Sequence, residues 1–136
     1  MSETNIQHVG IFCADIKKSA AFYKDVFGFE KYAERMAPAA HILKFFGVDS
    51  PALIVHVGVP MGTTIELFEL TALKDKSPWM GNLTHFSLSV KNHEQLIEEI
   101  KSKGIAVVSA QKPDGGNVYF IKDPDGVLIE IKELLV

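Results

Sequence analysis

Two histidines and two glutamates stand at matching positions in two similar stretches of the sequence. His8 lies in the segment IQHVGI and His85 in LTHFSL, while Glu66 lies in IELFEL and Glu130 in IEIKEL. Two imidazoles and two carboxylates form a donor set for one divalent transition ion, with nickel, cobalt, zinc, manganese and iron(II) as candidates. Such an ion acts as a Lewis acid on a substrate oxygen, and a neighbouring carboxylate can move a proton.

Alternation along the strands predicts where these side chains point. In each segment the aliphatic residues alternate with the His or Glu, so we expect the aliphatic face to pack on helices. The four polar side chains then share a concave face, and symmetric pairing of the segments would bring them to one point. Phe68 lies on the same face of its predicted strand as Glu66, and His56 lies in a further predicted strand, so both could contact a substrate. Glu69 and Glu133 also recur, but near strand ends, where we expect solvent.

The elements that position these residues are predicted in the order βαβββ, twice. The pattern predicts helices at residues 16–27 and 93–103 and strands at residues 6–12, 41–47, 53–58, 63–70, 83–90, 105–108, 118–121 and 127–134. The first half is longer, and its additional residues are expected in connections at 34–40 and 48–52.

The repeat predicts an α+β fold, with two βαβββ modules paired into a curved mixed sheet. The modules cover about residues 5–70 and 83–134, joined by a linker at 71–82, within one domain of residues 1–136. Because each module is too small to bury its own sheet well, the modules must pair within one chain, across a homodimer, or both.

Composition excludes several classes of function. The chain has 136 residues and a net charge of −3, with Arg35 as its one arginine, so no nucleic-acid partner is expected. No apolar run approaches the roughly 18 residues of a membrane span, and the polar start does not resemble a signal peptide. The single cysteine, Cys13, cannot form an internal disulfide. We therefore expect a soluble cytoplasmic protein with a small-molecule substrate and no membrane partner.

The sequence resembles the vicinal oxygen chelate superfamily and, within it, glyoxalase I. The similarity covers nearly the whole chain and rests on HVGI followed by AFYKDVFGF, on THFSLSV and on DPDGVLIE, of which the last is the most specific. By this resemblance the metal ligands are His8, Glu66, His85 and Glu130. The resemblance implies one divalent ion per site, nickel or cobalt in compact bacterial forms and zinc in larger ones.

The implied reaction converts a hemithioacetal, formed from a 2-oxoaldehyde and a thiol, to a 2-hydroxyacyl thioester through an enediolate. Glu66 or Glu130 takes a proton from one carbon and returns it to the next, and the sequence leaves open which of them does so. Asp25 stands where glyoxalases typically carry a basic residue that helps to hold glutathione. The resemblance therefore does not extend to glutathione as the thiol.

Two other functions stay open on the same residues. An epimerase of the methylmalonyl-CoA type also proceeds through an enolate, although its ligand set usually has Gln at the position of Glu66. A drug-sequestering protein of the same superfamily binds a small molecule without catalysis and generally lacks the metal ligands. Metal content and turnover of an oxoaldehyde–thiol pair separate the three.

Overall fold

Two four-stranded mixed sheets, one in each half of the chain, form the framework of the protein. The computed structural model describes residues 6–73, 85–111 and 113–134, and the chain divides into units at Met1–Met80 and Gly81–Val136. Most of the predicted linker at 71–82 lies outside the described residues, as does the start of the strand predicted at 83–90. No helix among the described residues is long and apolar enough to cross a bilayer.

The first unit contains a βαβββ module with one added helix. Its elements are β1 (Val9–Phe12), α1 (Ile16–Phe27), β2 (Lys31–Ala37), α2 (Ala39–Phe46), β3 (Ala52–Gly58), β4 (Thr64–Leu70) and a single 3-10 turn (Thr71–Leu73). The strands lie in the order β1-β4-β3-β2, with β1 parallel to β4 and the other neighbours antiparallel. The first strand of the unit therefore lies beside its last.

The second unit repeats this topology without the added helix. Its elements are β5 (Phe86–Val90), α3 (His93–Ser102), β6 (Val108–Gln111), β7 (Asn117–Lys122) and β8 (Leu128–Glu133). The strand order is β5-β8-β7-β6, again with the first and last strands parallel. The predicted α+β class and the βαβββ repeat are confirmed.

The strand predicted at residues 41–47 is wrong, because this stretch forms most of helix α2. The helix starts after Pro38 and ends at Gly47, whose φ of 75° is the left-handed conformation that closes helices. Ile42 is the buried residue of this helix and packs in a core cluster with Ile54 and Leu70. The connection expected at 34–40 is wrong, because these residues lie in β2 and at the start of α2, whereas residues 48–51 connect α2 to β3 as expected.

The second strand of this module is instead β2, which the sequence pattern did not reveal. It pairs with β3 on one side only and is exposed along most of its length. An exposed edge strand needs no apolar alternation, so the pattern used for prediction is missing. In the second unit β6 begins where the predicted strand at 105–108 ends, and it is also an exposed edge.

Side-chain hydrogen bonds and a left-handed glycine close the ends of the helices and the turn between β7 and β8. The Asp15 carboxylate accepts from the backbone N–H groups of Lys17 and Lys18, and Gly28 ends α1 in the left-handed region. Asn92 accepts from the N–H of Gln95 at the start of α3. The sequence DPDG forms the tight turn between β7 and β8, where the carboxylate of Asp123 accepts two backbone N–H groups.

The repeated glutamates at the strand ends hold the helix starts, which corrects our expectation for one of them. Glu69 is buried rather than solvated, and its Oε2 accepts from the backbone N–H of Ile16, the first residue of α1, at 2.8 Å. Glu133 stays exposed, and accepts from the N–H groups of Asn92 and His93 at 2.9 and 2.7 Å. Helix starts leave unpaired N–H groups, and each unit supplies an acceptor from its last strand.

Candidate metal centre

His8 and Glu66 meet on the face of the first sheet that lies opposite helix α1, which bonds to Glu69 on the other face. Gly10 of β1 is in register with Glu66 of β4, and His8 precedes Gly10 by two residues, so the three share a face. His8 Nε2 lies 2.9 Å from Glu66 Oε2. The Glu66 side chain is only 10% exposed and that of His8 is 40% exposed, so the carboxylate is largely withdrawn from water while the imidazole remains open.

Gln7 holds the second nitrogen of the His8 ring. Gln7 Oε1 lies 2.6 Å from His8 Nδ1. When Nδ1 donates its proton to this oxygen, the lone pair of Nε2 points toward Glu66, which is the tautomer that binds a metal. Sequence analysis missed Gln7, whose only signal is that it directly precedes His8.

His85 and Glu130 form the corresponding pair in the second unit. Ser87 of β5 is in register with Glu130 of β8, as Gly10 is with Glu66 in the first unit. His85 Nε2 lies 3.5 Å from Glu130 Oε1, and the two side chains are 37% and 16% exposed. The exposed fractions are similar to those of the first pair, while the distance between nitrogen and oxygen is longer. Each unit therefore offers one imidazole nitrogen and one shielded carboxylate at equivalent positions.

The structure brings each predicted histidine together with the glutamate of its own unit. Among residues 6–73, 85–111 and 113–134, no three His, Cys, Asp or Glu side chains are grouped for a metal ion. A single pair supplies two ligands, fewer than the three or four protein ligands of typical sites for these metals. The four-residue set stays a prediction that requires both pairs. Nitrogen and carboxylate donors fit nickel, cobalt, zinc, manganese or iron(II).

His56 lies beside Glu66 on the side of β3. The two residues are in register, and His56 Nε2 is 3.9 Å from Glu66 Oε1, the carboxylate oxygen that does not face His8. The ring of Tyr32 meets His56 edge-on with centroids 5.7 Å apart, and its hydroxyl is 3.0 Å from Thr64 Oγ1. His56 is thus held beside Glu66, its contact with substrate stays a prediction, and Tyr32 is a neighbour that sequence analysis did not identify.

Phe68 shares the face of Glu66 and forms an aromatic cluster there with Phe12 and Phe46. Phe12 and Phe68 are in register, with ring centroids 5.8 Å apart, and Phe46 of α2 lies 5.7 and 5.6 Å from them. All three contacts are edge-on, a favourable geometry for aromatic pairs. The added helix therefore packs on the same face as the His8–Glu66 pair, and Phe68 lies partly buried between core and site.

A second polar cluster surrounds the start of α3, on the helix-facing side of β8. His93 Nδ1 is 2.7 Å from Glu133 Oε2, and the hydroxyl of Tyr119 donates to Glu94 at 2.6 Å. The backbone N–H of His93, and then that of Asn92, lowers the pKa of Glu133. The hydrogen bond to Glu94, followed by burial, raises the pKa of Tyr119 above its usual value. These contacts attach α3 to β7 and β8, away from the His85–Glu130 face.

Known proteins share both the sequence pattern and the fold. Residues 5–131 match the model of the Glyoxalase/Bleomycin resistance protein/Dioxygenase superfamily. A lactoylglutathione lyase of Arabidopsis thaliana is 27% identical over 130 residues, which cover 91% of this chain but only 42% of that protein. An uncharacterized protein of Bacillus subtilis, YwkD, is 25% identical over 95% of this chain and 96% of its own length. The trypanothione-dependent glyoxalase I of Leishmania major superposes with a TM-score of 0.72 at 19% identity, covering 96% of this chain and 87% of that one.

Proposed function

The chain belongs to the glyoxalase/bleomycin resistance protein/dioxygenase superfamily, and on that premise we propose that it is a metal-dependent lyase or isomerase of the glyoxalase I type. The proposed substrate is the hemithioacetal of a 2-oxoaldehyde and a thiol, and the product is a 2-hydroxyacyl thioester. The observation that carries the proposal is the equivalence of the two His–Glu pairs, at 2.9 and 3.5 Å and at the same register of the two modules.

We propose that His8, Glu66, His85 and Glu130 together bind one divalent ion, with nickel, cobalt or zinc preferred. Members of the superfamily generally use divalent metals, and the nitrogen and carboxylate donors fit such an ion. When bound, the ion would supply Lewis-acid stabilisation of the negative charge that develops on the two adjacent substrate oxygens.

The residues of the chain carry the proton transfer. The hemithioacetal carbon loses its hydrogen to a carboxylate, either Glu66 or Glu130; its C–H electrons form a carbon–carbon double bond as the π bond of the neighbouring carbonyl breaks onto its oxygen. The same carboxyl group returns the proton to the former carbonyl carbon as the double bond breaks and the C–O bond of the first carbon becomes the thioester carbonyl, while the hydroxyl proton passes to the oxygen of the new alcohol. The reaction is an isomerisation that needs no oxidant or reductant. Both carboxylates are shielded from water, which limits loss of the proton to solvent before it is returned.

Elemental analysis of the untagged protein, purified without added metal or chelator, tests the ligand set. We expect about one nickel, cobalt, zinc, manganese or iron atom per site, and loss of this metal in His85→Ala. His41→Ala is the matched control, because His41 is an exposed histidine on α2 whose ring contacts Phe45. Metal retained in His85→Ala, or absent from the wild type even after titration, would refute the four-residue site.

Turnover distinguishes the proposed lyase from the two alternatives. We expect thioester formation from methylglyoxal with at least one thiol of a panel, and loss of activity in Glu66→Gln or Glu130→Gln, whichever is the base. Metal binding without oxoaldehyde turnover, but with exchange of the α-hydrogen of an acyl-CoA ester, would favour the epimerase. Neither metal nor turnover would favour a small-molecule binding protein.

We also propose a homodimer, which light scattering would show as twice the chain mass of 15.0 kDa.

A further inference from the structure

We propose that His56 is a positioning residue, which together with Tyr32 fixes the orientation of the Glu66 carboxylate so that Oε2 is the oxygen presented beside His8. The inference rests on the proposed function for its purpose, which is to hold one of the four proposed metal ligands ready for the ion. It concerns the carboxylate itself, in the protein before any substrate binds.

Both oxygens of the Glu66 carboxylate face an imidazole nitrogen. His8 Nε2 lies 2.9 Å from Oε2, and His56 Nε2 lies 3.9 Å from Oε1. The second distance is longer than a hydrogen bond. An imidazole N–H still attracts a shielded carboxylate at this range, because little water screens the contact. A neutral imidazole beside a carboxylate favours the tautomer with its proton on the facing nitrogen. His56 therefore restrains the oxygen that His8 does not.

The internal repeat shows that this position does not need a histidine for folding. His56 of β3 is the Cα partner of Glu66, just as Phe120 of β7 is the Cα partner of Glu130. Both positions are half-buried, and Phe120 packs edge-on against His85 with ring centroids 5.1 Å apart. Strands favour aromatic residues at such positions, whereas a half-buried polar ring costs free energy unless it has a partner. The partner that the structure gives to His56 is Glu66.

A β-bulge in the neighbouring strand brings Tyr32 to His56. Ala33 is the Cα partner of His56, but Lys31 is the partner of Val57, so β2 has one residue more than β3 at this point. Bulges redirect side chains and are over-represented next to active sites. Here the ring of Tyr32 meets His56 edge-on, with centroids 5.7 Å apart. Along the described length of β6, the equivalent pairing with β7 has no such shift.

Hydrogen bonds hold the Tyr32 ring in this place. The hydroxyl of Thr64, a buried residue, donates to the carbonyl oxygen of Val59 at 3.2 Å, so its one proton is used. The Tyr32 hydroxyl therefore donates its own proton to Thr64 Oγ1, at 3.0 Å. Thr64 lies two residues before Glu66 on β4 and so shares its face of the sheet. Tyr32 is thus anchored at its far end, and its ring limits the rotation of His56 beside Glu66.

Binding of Co²⁺ to the metal-free protein, measured by chelator competition with no substrate present, tests the positioning. His56→Phe copies the equivalent position of the second unit and should weaken Co²⁺ binding about 10-fold, as the loss of a residue that orients a metal ligand does. His56→Gln places an N–H donor near the position of Nε2 and should restore most of the affinity. The visible absorption spectrum of bound Co²⁺ should shift in His56→Phe and return in His56→Gln.

His41→Phe is the matched control, because it makes the same exchange at an exposed histidine on α2 and should bind Co²⁺ as the wild type does. Unchanged affinity and spectrum in His56→Phe, or equal losses in His56→Phe and His56→Gln, would overturn the inference. A rise in KM without a loss of Co²⁺ affinity would make His56 a substrate contact and would also overturn it. Tyr32→Ala should weaken Co²⁺ binding too, and unchanged affinity would remove Tyr32 from the role assigned here.

A double-mutant cycle separates this inference from the proposed function. If the wild type binds no Co²⁺, the four-residue metal site fails, and urea midpoints of the metal-free protein are compared for His56→Phe, Glu66→Gln and the double variant. Residues that hold each other give effects that do not add, whereas independent residues give additive effects. A non-additive result would support the positioning of Glu66 by His56 without the metal, and an additive result would overturn it.

Discussion

Glu69→Ala should lower the free energy of unfolding of the first unit more than Asp15→Ala, which removes the N-cap of helix α1. Glu69 is buried on β4, three residues after Glu66, and its carboxylate accepts from the N–H of Ile16 at 2.8 Å. This contact connects the start of α1 to the strand that carries half of the proposed site. Asp15, by contrast, is exposed and caps the next two N–H groups of the helix.

The expected magnitude follows from what each substitution leaves behind. Glu69→Ala removes a charged acceptor and leaves a buried N–H unpaired, a cost of about 1.5 to 3 kcal/mol. Glu69→Gln keeps an acceptor oxygen and loses only the attraction between the charge and the helix dipole, about 0.3 to 1 kcal/mol. Asp15→Ala should cost about 1 kcal/mol, as is typical of an N-cap.

Urea unfolding followed by circular dichroism measures this series. A loss of 2 kcal/mol should lower the urea midpoint by about 1 M at an unchanged slope. The reasoning requires Glu69→Ala to be the most destabilised of the three variants. Equal losses in the two Glu69 variants would show that hydrogen-bond acceptance is not what this residue contributes, and the role assigned to it here would be refuted.

Three further predictions concern the site and the second unit. Gln7→Ala should weaken metal binding about 10-fold, because the His8 ring loses its orienting partner; chelator competition measures this, and an unchanged Kd would contradict it. Phe68→Leu should raise KM for a phenylglyoxal-derived substrate more than for a methylglyoxal-derived one, and equal changes would remove Phe68 from the substrate site. Because the pKa of Glu133 is lowered from 4.5, its stabilising effect is complete above that pH and is lost as pH falls through the lower folded value. The Glu133→Gln variant should therefore lose less stability in acid than the wild type in urea titrations, whereas parallel pH profiles would contradict this assignment.

The fold could be predicted from the sequence where one face of an element is buried. Alternation identified β1, β4 and β8, and helical spacing identified α1 and α3, because each buries an aliphatic side against its unit. The edge strand β2 lacks that signal, since it pairs on one side and is mostly exposed. Helix α2 was mistaken for a strand because a short apolar run has no distinct period.

Side chains alternate between the two faces of a strand, and this parity predicts only which of the site residues share a face. Parity predicts that all four residues lie on the faces away from α1 and α3, and the structure shows His8 beside Glu66 and His85 beside Glu130, while their convergence on one ion stays a prediction. Parity could not reveal Gln7, whose contact depends on the side-chain conformation of a residue outside the strand. Parity also could not show whether Glu69 is solvated or accepts from the N–H group at the start of α1, because that depends on the path of the chain between β1 and α1.

Each histidine directly precedes the first strand of its unit and each glutamate lies on the last, so the two residues of a pair are translated at different times. A nascent chain that has reached the end of β4 already contains His8 and Glu66, along with every strand of the first sheet. Because an N-terminal unit can fold while the rest is being synthesised, this pair can form before Glu130 leaves the ribosome. His85 must wait for β8, the last strand of the described chain to be translated. A frameshift or premature stop within the final module would thus yield a chain whose first pair is intact and whose second is absent.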